Sequence, residues 1–470
     1  MINKRIGFSK KNFLLLLYLV ILALIGPAIY WLNEGQNSGT GIKTTENKFL
    51  RERISVGNNI LITADKNVLK KEASEAFAKG NYDAAATKYA AALRLDSNDP
   101  EALIYLNNAI AIASDNTYKI GVSVPIGGNL DVAKEILRGV AQAQNEINQV
   151  GGIKGSQVII EIANDDNDPE IAEQVAENFV KDDAILAVIG HNDSNASVAA
   201  APIYQQKGLV MITPTSSADI IPTMGTYIFR TTPNTRALAS TLANYVIEEE
   251  NITKIAVCTD SQSEVSKSFK EEFIWSIYKS GGKIVPTKCN FSGADFLPSR
   301  VLSHAISDGA EAILLAPSVQ RVNKAVEVAR ANEDRLALFG THGMVSYDTL
   351  KQGQTAVNGM VLVVAWHPTP ETKVAFEEDA IDLWGGLVGW RTAMAYDAAK
   401  TLFAGLTLGS DRDQLQQVLA NREFSAEGAS ETINFLPSGD RNMPGQLVQI
   451  QPGGKSGTGF DFVTLENPEN

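Results

Sequence analysis

Residues 188–220 read VIGHNDSNASVAAAPIYQQKGLVMITPTSSADI. An apolar run ends at about Gly190, a helical-period segment starts near Asn195, and a second apolar run ends at Thr213-Pro214. Strand, covering helix and next strand in this order make a βαβ unit, and an apolar run without alternation is what a strand buried on both faces needs. Outward from this stretch the pattern repeats. YKIGVSVPI, SQVIIEIAN, KIAVCTD, GKIVPTKCNF, AEAILLAP and RLALFGTH are short β-branched runs, set among amphipathic segments such as AKEILRGVAQAQNEIN and PEIAEQVAENFVKD. The expected class is α/β with parallel sheets covered on both faces. Roughly 350 residues in this style exceed one ordinary core, so two lobes are expected, dividing near FRTTPNT at 229–235, with a cleft between them.

Strands that end in small hydroxyl residues are the candidate chemistry. Ser194 lies at a helix start, where free N–H groups and the helix dipole favour an anion; taken alone, a serine there is more often an ordinary N-cap. Thr215, Ser216 and Ser217 follow the next strand and can grip both an ammonium and a carboxylate. Other chemistries lack their signatures. There is no Gly-x-Ser-x-Gly elbow, and His191, His304, His342 and His367 lie far apart outside any metal motif. Gly454-Lys455-Ser456 has Gln449 where a phosphate loop needs its first glycine, and the Gly151–Gly155 run lacks dinucleotide spacing. A net charge of −13 argues against nucleic acid as a partner. No cofactor, metal or catalytic residue is expected.

The N-terminal quarter is of another kind. Lys4, Arg5, Lys10 and Lys11 precede the uncharged FLLLLYLVILALIGPAIYWL at 13–32, long enough to cross a hydrocarbon core of roughly 30 Å. The expectation is a single-pass anchor in the cytoplasmic membrane, basic flank inside, with the rest on the extracytoplasmic side; a cleaved secretory signal is the competing reading. Residues 34–64 are polar and aperiodic and read as a flexible linker. Residues 65–113 form three helical runs, of which KGNYDAAATKYAAALRLDSNDPEA resembles one tetratricopeptide repeat through Gly80, Tyr82, Ala85, Tyr89, Ala92 and Leu93. One repeat is either a packed spacer or a docking unit for a protein partner.

The order YKIGVSVPIGG, LRGVAQAQNEINQVGGIKG, NDDNDPEIA, the 188–220 stretch, YIFRTTP and WRTAMAYDAAK is similar to the periplasmic leucine/isoleucine/valine-binding proteins, and the anchored tetratricopeptide version looks like a cyanobacterial variant. The resemblance implies a two-lobed type 1 periplasmic-binding clamshell: 118–235 with 366–445 as lobe one and 236–365 with 446–465 as lobe two. It implies a receptor that binds a branched-chain or related amino-acid-like molecule by hinge closure and delivers it to an ABC permease. The alternative is a tethered sensor or scaffold with an altered pocket. By motif, Ser194, Thr215 and Ser217 stand where the family holds the α-amino and α-carboxylate groups. His342, in GTHGM, replaces the usual acidic partner of the ammonium, and Val132, Val265 and Ser318 fall where tyrosines are common. Asn167 and Asp193 take the places of the family's cysteine pair. Cys258 and Cys289 end two runs expected to be neighbouring strands and are either bridged or free. Trp390 and Arg391 read as helix packing and surface charge.

Overall fold

The computed structural model describes residues 49–64, 67–113, 116–368, 375–429 and 432–465. It divides into Met1–Arg53 and Ile54–Asn470. Within the first unit the guanidinium of Arg53 lies over the Phe49 ring; every strand among the described residues belongs to the second. The expected membrane span at 13–32 lies outside the described residues. The expectation of a single-pass membrane protein is corrected: among the described residues no helix is long and apolar enough to cross a membrane. The two longest helices among the described residues, Leu130–Gln149 and Trp390–Leu408, carry charges along their length, Glu135 and Arg138 in one, Arg391, Asp397 and Lys400 in the other.

Two separate sheets carry the architecture. The first contains β1 (Ile54–Ser55), β2 (Thr117–Val124), β3 (Gln157–Asn164), β4 (Ile185–Ile189), β5 (Val210–Thr213) and β6 (Ile228–Arg230), in the order β1-β3-β2-β4-β5-β6. All its pairs are parallel except β1 on β3. The second begins with β7 (Lys254–Thr259), β8 (Lys283–Ile284), β9 (Ala312–Ala316), β10 (Ala337–Gly340) and β11 (Val361–Val364). Between its last two contributions the chain forms a small pair, β12 (Ala426–Glu427) with β13 (Thr432–Ile433), and the sheet is completed by β14 (Gln446–Pro452) and β15 (Phe460–Thr464). Its order is β15-β14-β11-β10-β9-β7-β8. The central strands β5, β9 and β11 are buried at every position, as parallel strands covered on both faces must be. The chain passes between the sheets three times: after β6, after β11, and again before β14.

The first crossover and the last are bound to each other. The guanidinium of Arg230, 1% exposed at the end of β6, pairs with Asp440, and its backbone N–H donates to Gly439. Arg441 pairs with Asp397 and donates to the Thr231 carbonyl at 3.4 Å.

Helices Val68–Ala78, Tyr82–Leu95 and Pro100–Ala111 start at side-chain caps from Asn67, Asn81 and Asp99. They do not stand apart from the first sheet. Asn108, fully buried, donates to the Ile160 carbonyl (2.7 Å) and accepts from the Ile160 N–H (2.9 Å), so one side chain supplies the hydrogen bonds a further strand would give to the edge of β3. Asn148 does the same at Val158. Residues 54–64, expected as a linker, are held as well: β1 pairs with β3, Glu101 accepts the Leu61 N–H at 2.7 Å, and Tyr89 donates to the Gly57 carbonyl at 2.7 Å. The structure shows three packed helices here and leaves the tetratricopeptide resemblance at that. Cys258 and Cys289 are bonded, joining β7 to the segment beside it.

Candidate functional site

Each sheet presents the carboxyl ends of its parallel strands to a cleft, where open α/β sheets hold ligands. On the first sheet, β4 leads into a tight loop and then helix Ser194–Gln206. The helix is capped by Asp193, which accepts the Asn195 N–H at 2.8 Å; Ser194 is its first turn rather than its cap. The loop owes its shape to His191. Its carbonyl accepts from Thr213 Oγ1 (2.8 Å), Ser197 and Ser216, and its ring lies between Asp165 (2.6 Å) and the Tyr204 hydroxyl (3.1 Å). Thr215 donates its hydroxyl to the Asn192 carbonyl at 2.9 Å, which aims the β5 loop at the same cleft. Asn192 also donates to Asn167 at 3.1 Å, which ties this loop to the segment after β3; Asp193, the other position expected to replace a cysteine pair, instead caps the helix. The Ser217 carbonyl accepts from Thr235 N and Oγ1, joining the site to the first crossover.

The opposite wall comes from the second sheet: the first turn of helix Glu264–Lys279, the end of β9, and residues 341–343 after β10. Together the walls enclose about 490 Å³ of non-protein space, open solvent included, with Ser194, Thr215, Val265 and His342 among its lining. Those four sequence-expected residues are therefore brought together. Ser217 stands behind them, its hydroxyl 3.4 Å from His342 Nε2. Val132 lines an adjoining space shared with Arg391 and Gly343. Ser318 does not line either; its hydroxyl is spent on Asp260, 2.6 Å away.

Two residues that the sequence assigned to packing and surface charge are in the cavity wall. Trp390 and Arg391 open helix Trp390–Leu408 and are 2% and 1% exposed. The guanidinium lies 4.6 Å over the Trp390 ring and gives Nη1 to Glu135 and to the Val345 carbonyl, both at 3.2 Å. Asn195 was also missed: its amide donates to the Gln262 carbonyl (2.8 Å) and accepts the Glu264 N–H (2.9 Å), clasping the two walls. The only available signal was position, just after a strand end or at a helix start.

The electrostatics follow from burial. Three helix N-termini, at Ser194, Glu264 and Trp390, meet at the cavity with their positive dipole ends. The His342 pKa is pushed down to about 3, first by burial and then by Arg391, so its ring is neutral at physiological pH. Its Nδ1 and the Trp390 Nε1 are buried without hydrogen-bond partners. Asp193 is pushed up to about 6 by burial, with Asp165 and Asp260 adding repulsion.

Because the folded-state pKa of Asp193 lies above its unfolded value, the cost of ionising it is absent below about pH 4 and grows as pH rises through about 6. Asp193→Asn keeps the cap, since asparagine caps as well as aspartate, and removes that cost. It should stabilise the fold by about 2 kcal/mol at pH 7.5 and by nothing near pH 4. Urea unfolding of both proteins at the two pH values measures the difference, in which other titrating groups cancel; equal stability at pH 7.5 would refute the penalty.

Residues 117–455 match the family model described as periplasmic binding protein. The chain is 30% identical to an amino acid binding protein of Pseudomonas aeruginosa over 146 residues, 31% of this chain and 39% of that protein. It is 38% identical to the Leu/Ile/Val-binding protein of Escherichia coli K12 over 125 residues, 26% of this chain and 34% of that one. The chain thus spans little more than a third of the length of these curated relatives. Among solved structures, the leucine binding protein LivK of Thermotoga maritima superposes with a TM-score of 0.66 at 21% identity, covering 75% of this chain and 99% of that one. At that identity the likeness carries the fold.

Proposed function

We propose, for a chain that belongs to the periplasmic binding protein family over residues 117–455, that it is the solute-binding receptor of an ABC-type importer and takes a small amino-acid-like carboxylate. The fold is the type 1 periplasmic-binding clamshell of that family, whose function is capture of solutes. One observation carries the reading for this chain: a single cavity is walled by Ser194 and Thr215 from the first sheet and by Val265 and His342 from the second. A molecule there touches both lobes, so its binding energy favours the closed arrangement over the open one, and that difference is what a permease partner can sense. The relatives named for amino acids and for leucine, isoleucine and valine support a ligand of that size that bears a carboxylate.

Thermal unfolding of the full chain against amino acids, mono- and dicarboxylates, ureas and short amides tests this. A true ligand at 100 times its dissociation constant should add about 2.7 kcal/mol to stability. A folded protein that no compound stabilises would overturn the receptor reading.

A further inference from the structure

We propose that the cavity selects a carboxylate that carries no ammonium group, an inference that rests on the receptor reading above. The residues lining the cavity offer a guanidinium and an unpartnered indole N–H, and among them is a single carboxylate, Asp193. An ammonium brings three N–H donors and no acceptor, whereas a carboxylate brings about four lone-pair sites and, ionised, no donor. The lining residues carry the Arg391 guanidinium, which has only Nη1 in hydrogen bonds, the unpartnered Trp390 Nε1–H and the Ser194 hydroxyl; of the three helix N-termini here, those at Ser194 and Glu264 are capped by Asp193 and Ser263. Helix Trp390–Leu408 has no side-chain cap at Gly389; the Thr392 and Ala393 N–H groups bond the Gly389 carbonyl, which leaves those of Trp390 and Arg391 for an anion.

Against these stand hydroxyl, amide and backbone oxygens, one carboxylate, Asp193, and one imidazole, His342. One oxygen of Asp193 is committed to capping helix Ser194–Gln206 through the Asn195 N–H. His342, 5% exposed, offers a neutral ring whose Nδ1 is unpartnered and whose Nε2 faces Ser217. One ring nitrogen, beside a buried guanidinium, cannot replace a carboxylate as counter-ion to an ammonium, because both the Coulomb term and the count of acceptors fall short. It can meet a carbonyl or hydroxyl at the α-carbon, donating or accepting according to its tautomer. The helix ends alone would not single out a ligand. The unpartnered His342 and Trp390 nitrogens, both on residues that are nine-tenths buried or more, are what point to one.

The test compares matched pairs that differ only in the amino group: leucine with 4-methylpentanoate, and phenylalanine with 3-phenylpropanoate, by isothermal titration calorimetry on the full chain. At least one amino-free acid should bind tenfold or more tightly than its amino acid. His342→Asp should reverse the order, since the new carboxylate repels the anion and accepts from the ammonium. The wild-type comparison stands whether or not that variant folds. Tighter binding of either amino acid, with its amino-free partner weaker, would overturn the inference and leave the receptor reading intact; loss of that preference in Asp193→Asn would then place the ammonium on Asp193. If neither member of either pair binds, the inference falls, and the receptor reading falls with it only when the wider panel is silent too.

Discussion

Lys70→Met is expected to destabilise the chain by about 3–5 kcal/mol, the cost of removing one partner from a buried ion cluster. The Lys70 side chain has no exposed surface, and its ammonium touches Asp99 at 2.6 Å and Glu101 at 2.7 Å. Burial pushes the Lys70 pKa down, and the Glu101 and Asp99 carboxylates more than offset it, leaving it above the usual lysine range. Methionine fills much the same volume and supplies no charge, so two carboxylates are left facing each other out of water. Both do other work: Asp99 caps helix Pro100–Ala111, and Glu101 holds the Leu61 and Ile62 N–H groups. The loss should therefore reach β1 and the edge of the first sheet. Chemical unfolding measures it, with Lys70→Met/Asp99→Asn/Glu101→Gln as the informative control. Removing all three charges should recover a large part of the stability, whereas a change below about 1 kcal/mol in the single variant would be the behaviour of an exposed pair.

Asp397→Ala should cost a similar amount, about 3–5 kcal/mol, and should also weaken ligand binding. Asp397 lies mid-helix in Trp390–Leu408, has no exposed side-chain surface, pairs with the 2%-exposed Arg441 side chain, and accepts the Ala429 N–H at 2.6 Å. Alanine leaves the guanidinium buried without this carboxylate and strips the Ala429 N–H of its acceptor. Arg441 also reaches the Thr231 carbonyl, so the pair fastens the helix that carries Trp390 and Arg391 to both the first and the last crossover. Unfolding gives the stability loss. Calorimetry with whichever solute the panel identifies gives the second effect, and wild-type affinity in a folded Asp397→Ala protein would show that the helix start is positioned by other contacts.

The alternation of apolar strands and amphipathic segments was legible because it is local: period and run length are written in consecutive residues, and burial on both faces demands them. The hydroxyl-bearing strand ends were legible for the same reason, which is why Ser194 and Thr215 could be named from the residues, whereas Val265 and His342 came only from the family resemblance; all four lie around one cavity. Local signals also have a limit of about one residue. Asp193-Ser194 holds two good cap residues, and only the backbone turn decides that Asp193 caps and Ser194 faces the cavity.

What was not legible depends on contacts between distant segments. Lys70 and Arg391 have side chains that composition places at the surface; both are buried because carboxylates at Asp99, Glu101 and Glu135 arrive beside them through the fold. Asn108 is an ordinary helix residue until β3 lies next to it with an unpaired edge. Cys258 and Cys289 could be bridged or free until adjacent segments brought them together. Taken alone, the amino-acid sequence determined the fold class, the pair of lobes and the chemistry available at their strand ends, since these follow from periodicity and residue type. The tertiary structure alone decided which polar and charged groups left water, and with them the character of the cavity, because the energy of a buried charge is set by neighbours that the chain supplies from far along its length.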